Sequence, residues 1–270
     1  MATYAFSNLN LSQRLERAEA AANASFVDAR CRLNPTRGAC WIDVDGTWAM
    51  FDGVESPLSQ TFGLGLFSVT VHEQLDALES FFRTRSCGVS HEVSPLAEAS
   101  TVDLLLARDY RPIEQTSVMH RPVSEPFTMT VNSNIRVRRS TPADVRLWAE
   151  TSAAGWSEFG ELGTFMRDIA VVMSETQDAY CFFAEIDECV AATAALFVHE
   201  GVASLAGACT IPAYRGRGAQ NALLQARLRF AEQRGCEVAL VAAQPGSSAQ
   251  CNAERQGFRI AYTRTTWRQS

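Results

Sequence analysis

Apolar residues along this chain change their spacing repeatedly, and the changes fall at turn-forming residues. The pattern is clearest in the C-terminal half. Ile135-Arg-Val-Arg-Arg139 alternates as a strand does, and Thr141-Pro142 with Asp144 opens a helix with proline in its first turn. Residues 161–175 form a second helical stretch. Residues 180–186 and 190–198 read as a hairpin over the acidic turn Asp187-Glu188, and Glu200-Gly201 turns the chain into a strand at 202–209. A helix at 221–234, starting within a residue or two of Gly218, places Leu224, Leu228 and Ala231 on one face, widened by Leu223 and Phe230. Gln225, Arg227, Arg229 and Gln233 are assigned to the outer face, and Gly235 ends the helix. Residues 238–243 read as a buried strand broken by Pro245-Gly246. A short helix carrying Asn252 and Arg255 leads to Gly257-Phe258, and a last strand runs from Arg259 through Tyr262 to Trp267.

The connection between the strand at 202–209 and its helix carries the strongest chemical signal. It reads Thr210-Ile-Pro-Ala-Tyr-Arg-Gly-Arg-Gly-Ala-Gln220. Glycines let successive backbone N–H groups point into one concavity, and the helix start adds partial positive charge. Arg215 and Arg217 add planar donor forks suited to phosphate. The stretch describes a cradle for a pyrophosphate. It lacks the Lys-Ser/Thr of a nucleoside triphosphate loop and the three-glycine spacing of a dinucleotide loop.

The loop resembles the coenzyme A pyrophosphate loop of the GNAT acetyltransferase superfamily, whose pattern is Arg/Gln-x-x-Gly-x-Gly/Ala. Arg215 and Gly218 fill the first two fixed places, while Gln220 stands where the family has Gly or Ala. The order of strand, loop, helix, strand, short helix, Gly-Phe and strand is also similar to the C-terminal half of a GNAT domain. The resemblance covers residues 134–270. It implies an α/β fold on a mixed sheet (α+β) and acetyl-CoA as cosubstrate. It places the cofactor against Cys209, Thr210, Ile211, Arg215, Gly216, Arg217, Gly218, Ala219, Gln220 and Asn252. A strand amide near Ala208 or Cys209 is then expected to polarise the thioester oxygen.

The N-terminal half reads as a second copy of this pattern. Ser80-Phe-Phe-Arg-Thr-Arg-Ser-Cys-Gly-Val89 aligns with Arg229-Phe-Ala-Glu-Gln-Arg-Gly-Cys-Glu-Val238, pairing Phe81 with Phe230 and Cys87 with Cys236 at an offset of 149 residues. Pro95 pairs with Pro245, and Tyr110-Arg111 with Phe258-Arg259, after slips of one residue. Hairpin strands are expected at 39–44 and 47–52. The expected organisation is therefore two tandem GNAT-like acyl-CoA N-acyltransferase domains, 1–121 and 134–270, joined by a linker at 122–133 containing Pro122 and Pro126. This arrangement is similar to that of mycothiol synthase-like enzymes. Between Thr70 and Phe81 lie 11 positions, against 20 between Thr210 and Phe230, so the first copy lacks the Arg-Gly-Arg-Gly turn. Glu73 and Asp76 stand where an anion would sit, and the first domain is expected to complete a core, wall the acceptor cleft or dimerise.

A net charge of −6 gives no electrostatic footprint for nucleic acid or an anionic membrane. The start, Met1-Ala-Thr-Tyr-Ala-Phe-Ser-Asn, has neither basic nor sustained apolar character, so no signal peptide is read. Eight cysteines without a Cys-x-x-Cys pair, and four separated histidines, argue for reduced thiols, no metal and a cytoplasmic setting. Monomer and homodimer both stay open.

The reaction implied by the resemblance is direct acetyl transfer to the amine of a small-molecule or amino acid-like acceptor. The family's tyrosine acid, four residues before the Gly-Phe glycine, is replaced by Ala253. Cys251, Tyr262 and Ser248 are the alternatives as acid. For the base, the strand Ala206-Gly-Ala-Cys-Thr210 offers no carboxylate. Glu158 and Glu161, in Gly155-Trp-Ser-Glu-Phe-Gly-Glu161, lie in the connection that lines the acceptor pocket in the family. A solvated charged loop and a base relayed by ordered water are the competing readings. A non-catalytic coenzyme A-binding module is the alternative function.

Overall fold

The computed structural model of the chain describes residues 6–126, 132–160 and 162–269. In chain order the elements are α1 (Leu9–Leu33), β1 (Cys40–Val44), β2 (Thr47–Phe51), β3 (Thr61–Phe62), α2 (His72–Arg83), β4 (Ser90–Val93), α3 (Ala99–Ala107), β5 (Tyr110–Pro122), β6 (Ile135–Arg139), α4 (Val145–Gly155), α5 (Leu162–Ser174), β7 (Ala179–Ile186), β8 (Cys189–His199), β9 (Val202–Thr210), α6 (Ala219–Gln233), β10 (Val238–Ala243), α7 (Ser248–Arg255) and β11 (Arg259–Gln269). The stretch α2-β4-α3-β5 has the same element order as α6-β10-α7-β11, as the sequence repeat implies. β3 pairs parallel with β4 just as β9 pairs parallel with β10.

The chain forms two compact units. One comprises Arg121–Val241, and the other comprises residues up to His120 together with those from Ala242 onward. This departs from the division at 122–133. Residues 242–270, assigned by sequence to the second domain, keep company with the first. The reason is strand pairing. β11 lies antiparallel between β4 and β5, with Trp267 opposite His91 on one side and Thr263 opposite Ser117 on the other. Of the expected linker, Phe127–Val131 lies outside the described residues. Its first residue, Pro122, ends β5, and Val123 donates its N–H to the Glu237 carbonyl at 2.9 Å.

In the unit 121–241 the strand order is β6-β7-β8-β9-β10. Alternation puts successive residues of β7 on opposite faces. Phe183 packs with Trp148, Ala149 and Ala170 of α4 and α5. Phe182, one residue earlier, meets Phe230 of α6 with ring centroids 5.7 Å apart. Thr141 and Asp144 form a capping box ahead of α4, and the Thr141 N–H donates to the Asp144 carboxylate at 2.8 Å. Arg138 adds two bonds to the same carboxylate, and these bonds hold the Asp144 pKa down at about 2. On α6 the sequence reading of the outer face needs correction. Gln225 and Arg227 are buried, and Arg227 donates to the carbonyls of Ala195 (3.0 Å) and Ala206 (3.4 Å). A polar residue type was taken as a sign of exposure, whereas this guanidinium pins the helix to β8 and β9. Burial alone lowers its pKa to about 10.

In the other unit the order is β1-β2-β3-β4-β11-β5. Ala20, Ala24 and Val27 of α1 pack on Met50 and Phe62, while Ala49 and Phe51 face Leu75, Leu78 and Phe82 of α2. A buried ionic cluster links α1 to β11. Arg264 makes a bidentate pair with Glu19 (2.7 and 2.8 Å) and meets Glu16 at 3.4 Å. The Tyr262 hydroxyl donates to Glu16 at 2.8 Å, and Thr266 donates to Glu92 at 2.7 Å.

Candidate functional site: a bulged strand and the loop that follows it

The site is built on β9. Its N-terminal residues Val202–Ser204 pair with Val238–Leu240 of β10. Beyond Ser204, β9 pairs only with β8 among the described residues. The two parallel strands therefore part company, and the C-terminal half of β9 keeps one edge free of a strand partner. The same half carries a β-bulge. Thr193 lies opposite Cys209, and Ala195 lies opposite Ala206, so β9 spends one more residue than β8 over this interval. Gly207 sits in it at φ +59°, the left-handed conformation that a bulge of this kind asks of one residue. An extra residue in one strand leaves a backbone amide out of the ladder, and Ala208, next in line, is exposed. The isolated glycine in Ala206-Gly-Ala was the available sequence signal for this bulge.

Close packing brings α4 onto this region. A Cβ at Gly155, the last residue of α4, would lie 2.7 Å from Cys209 Sγ. The Cys209 side chain points inward, with its Sγ 3.1 Å from Thr193 Oγ1 and donating to the Ser152 carbonyl, and burial pushes the thiol pKa up. Only its backbone is available to a ligand.

After Thr210 the chain is fixed to β8 by the Ile211 N–H, which donates to the Ala191 carbonyl at 2.9 Å. A short 3₁₀ turn, Pro212–Tyr214, leads to Arg215. Gly216 (φ +75°) and Gly218 (φ +94°) then bend the chain into the first turn of α6, which starts at Ala219 with no side-chain cap. A helix start without a side-chain cap is a general kind of anion-binding position.

The loop side chains are organised. Gln220 donates to the Cys209 carbonyl at 2.8 Å and to Thr210 Oγ1 at 2.9 Å, tying the helix start to the strand end. A Gly or Ala at this place makes no such tie, so the departure from the family pattern has a structural use. Arg217 pairs with Asp187 at 2.6 Å. Arg215 donates Nη2 to the Gly155 carbonyl at 3.0 Å and Nη1 to the Glu158 carboxylate. Sequence reasoning noted Asp187 only as a turn residue and did not connect Glu158 to the loop. Each partner lies at least 30 residues away in sequence.

The remaining candidates fall elsewhere. Glu161 lies outside the described residues. Cys251 and Asn252 are on α7, in the unit that contains β11 rather than the unit that contains the loop. Asn252 accepts a bond from Arg255 at 3.0 Å, an ordinary intrahelical contact. Tyr262, an alternative acid, is buried and committed to Glu16. Ala253, standing at the family's tyrosine position, is buried as well. The structure therefore brings together Cys209, Thr210, Ile211 and residues 215–220 with Glu158, while Cys251 and Asn252 belong to the other unit. Among the described residues there is no group of His, Cys, Asp or Glu able to hold a metal ion. Nor is any helix long and apolar enough to cross a membrane.

Comparison with known proteins agrees with this geometry. The Acetyltransferase (GNAT) family model matches residues 148–258, which span α4, the bulged strand, the loop and α7. This segment therefore matches a GNAT acetyltransferase domain. The fold extends further. A GCN5-related N-acetyltransferase from Kribbella flavida superposes with a TM-score of 0.62 at 16% identity, over 91% of this chain and 95% of its own. A tandem GNAT protein from the clavulanic acid biosynthesis pathway gives 0.56 at 10% identity, over 82% and 77%. A GCN5-related N-acetyltransferase from Sphaerobacter thermophilus gives 0.56 at 21% identity, over 78% and 71%. No curated protein matches the chain. The fold class is accordingly an α/β mixed sheet of the GNAT kind, with tandem proteins among its neighbours.

Proposed function

We propose that the protein is an acetyl-CoA-dependent N-acetyltransferase that acetylates the amine of a small-molecule or amino acid-like acceptor. The observation that carries this reading is the coincidence, on one strand, of a free edge, a bulge and an uncapped glycine-arginine helix start. A pantetheine arm needs backbone groups to pair with, and the edge of β9 from Leu205 to Thr210 is where it would find them. A pyrophosphate needs convergent N–H donors with open space in front. At Gly216 a Cβ would meet nothing within 4 Å, so the loop is uncrowded around that residue. A developing negative charge on the acyl oxygen needs an amide outside the ladder, and the bulge at 206–209 offers one. Acetyl-CoA supplies an activated acyl group; the chain's residues bind it, orient it and present the acceptor.

Glu158 is the acceptor-side carboxylate of this proposal. It attracts the ammonium and, directly or through water, takes its proton. A thiol with a pKa of about 8.5 leaves without a strong acid, which fits the alanine at 253. Eight free thiols suit a reducing cytoplasm. A second reading, a coenzyme A-binding module without turnover, is favoured by the same Ala253 and by the commitment of Tyr262 to Glu16.

Calorimetric titration with acetyl-CoA tests the cofactor assignment, with the double variant Arg215→Ala, Gly218→Glu as control. Micromolar binding that the variant loses is the expected result, and no binding by the unaltered protein sinks the transferase reading. Coenzyme A release in an amine screen separates enzyme from module. It is best followed chromatographically, because the protein's own thiols react with disulfide reagents.

A further inference from the structure

Both arginines of the loop already hold a carboxylate, but the two pairs connect different things. Asp187 belongs to the turn between β7 and β8, a two-residue turn in which both Asp187 (φ +52°) and Glu188 (φ +64°) are left-handed. Glu158 comes from the connection after α4, the acceptor side of the proposed site. Arg215 has two further bonds, Nη2 to the Gly155 carbonyl at 3.0 Å and Nε to the Thr210 carbonyl at 3.4 Å. These two are independent of Glu158. They hold the guanidinium between the ends of α4 and β9 whether or not the carboxylate is present.

We propose that the Glu158 carboxylate stands at Arg215 in the place of a phosphate oxygen, and that coenzyme A pyrophosphate displaces it. The released carboxylate then becomes the recognition point for a cationic acceptor. This inference rests on the coenzyme A reading of the loop. Carboxylate and phosphate oxygens compete for the same guanidinium N–H donors, and the phosphate brings more charge. The exchange is easy because the pair is open to water, Arg215 at 45% and Glu158 at 54% exposure, unlike the closed Arg264 cluster at 4% or less for Arg264 and Glu16. Three consequences follow from one displacement. The cofactor enters first. An amine meets an unpaired carboxylate only after that entry. A neutral or acidic acceptor gains nothing from the release, so the substrate class is a protonated amine.

The test is calorimetric titration of the full chain with coenzyme A and, separately, with inorganic pyrophosphate. Wild type, Glu158→Gln and Glu158→Ala are compared at two salt concentrations. Removing the competing carboxylate is expected to tighten coenzyme A binding about two- to fivefold, the range of an exposed ion pair. Pyrophosphate binding should move in the same direction, and the gain should shrink at high salt. A carboxylate that merely braces Arg215 gives the opposite sign, with weaker binding in both variants. Unchanged or weaker binding in both variants, with wild type still binding, overturns the exchange and leaves the cofactor assignment intact. Absence of coenzyme A binding by wild type overturns both.

Discussion

Replacing Glu16 by glutamine isolates the energetic cost of burying an ionisable group under α1. Glu16 is 1% exposed and shares Arg264 with Glu19 and Glu92. Desolvation, the largest influence, raises its pKa from 4.5 to about 7. Arg264 and the Tyr262 hydroxyl oppose that rise, and Glu19 and Glu92 add to it. Between these two pH values the folded chain retains a proton that the unfolded chain has released. Stability must therefore fall as pH rises through this window, reaching its full loss above pH 7. A displacement of this size corresponds to about 3 kcal/mol at 1.36 kcal/mol per pKa unit. Glutamine mimics the protonated carboxyl, keeps an acceptor for Tyr262, and cannot titrate. The expected result is that Glu16→Gln and wild type have similar stability near pH 5, and that the variant becomes the more stable of the two by pH 8. Urea unfolding across this pH range, with hydrogen exchange of α1 peptides as a local readout, measures the difference between the two proteins. Other titrating groups cancel in that difference. Parallel profiles from pH 5 to 8 would refute the assignment of a neutral-range titration to Glu16.

The remaining expectations concern the unit 121–241. Gly155→Ala places a methyl 2.7 Å from Cys209 Sγ and 2.9 Å from its Cβ, so α4 must move off β9. A loss of about 1–3 kcal/mol in thermal unfolding, with weaker acetyl-CoA binding, is expected, and Cys209→Ala in the same chain should return part of it. Arg227→Ala leaves the Ala195 and Ala206 carbonyls without their buried donor. A destabilisation of roughly 2–4 kcal/mol in urea unfolding is expected; a loss under 1 kcal/mol would show that water replaces the guanidinium. Gln220→Ala removes the tie between α6 and the β9 carbonyl while matching the family's loop pattern. Coenzyme A binding by calorimetry should survive within about threefold, because the backbone donors of the loop are untouched.

Most element positions were legible because the period of apolar residues changes at glycines and prolines that terminate helices and strands. The Thr141-Pro142-Asp144 start of α4 and the Gly235 end of α6 are examples, and Gly235 adopts φ +74°. The loop was legible because its chemistry is contiguous. Less of the site was legible where it depends on distant pairs. Nothing local to Arg215 points to Glu158, and nothing in Asp187-Glu188 announces Arg217. Buried Arg227 was misplaced because its type favours solvent and its partners are carbonyls, which leave no mark in a sequence. The place of β11 was missed for a deeper reason. Its alternation identifies a strand, but which strands flank it depends on pairings across more than 130 residues, as between Arg259 and His120. The tandem repeat was visible, yet the compact units do not coincide with its two copies.

The position of β11 between β4 and β5 also bears on the order in which the protein is made. A ribosome delivers the chain from residue 1, so domains that are contiguous in sequence fold in the order of their emergence. Here the unit that begins first cannot close first. β4 and β5 have no shared neighbour until residues 259–269 have been synthesised, whereas residues 121–241 already contain every strand from β6 to β9. The unit 121–241 therefore has its strands before the earlier unit does, whose sheet stays open and whose α1 lacks its anchor at Arg264 until the last strand is threaded into place. Released chains truncated near residue 245 should show a protease-resistant 121–241 core and a protease-sensitive N-terminal region. The same geometry dictates that a cut at the apparent linker leaves the N-terminal piece without β11 and the other piece with a strand it cannot pair.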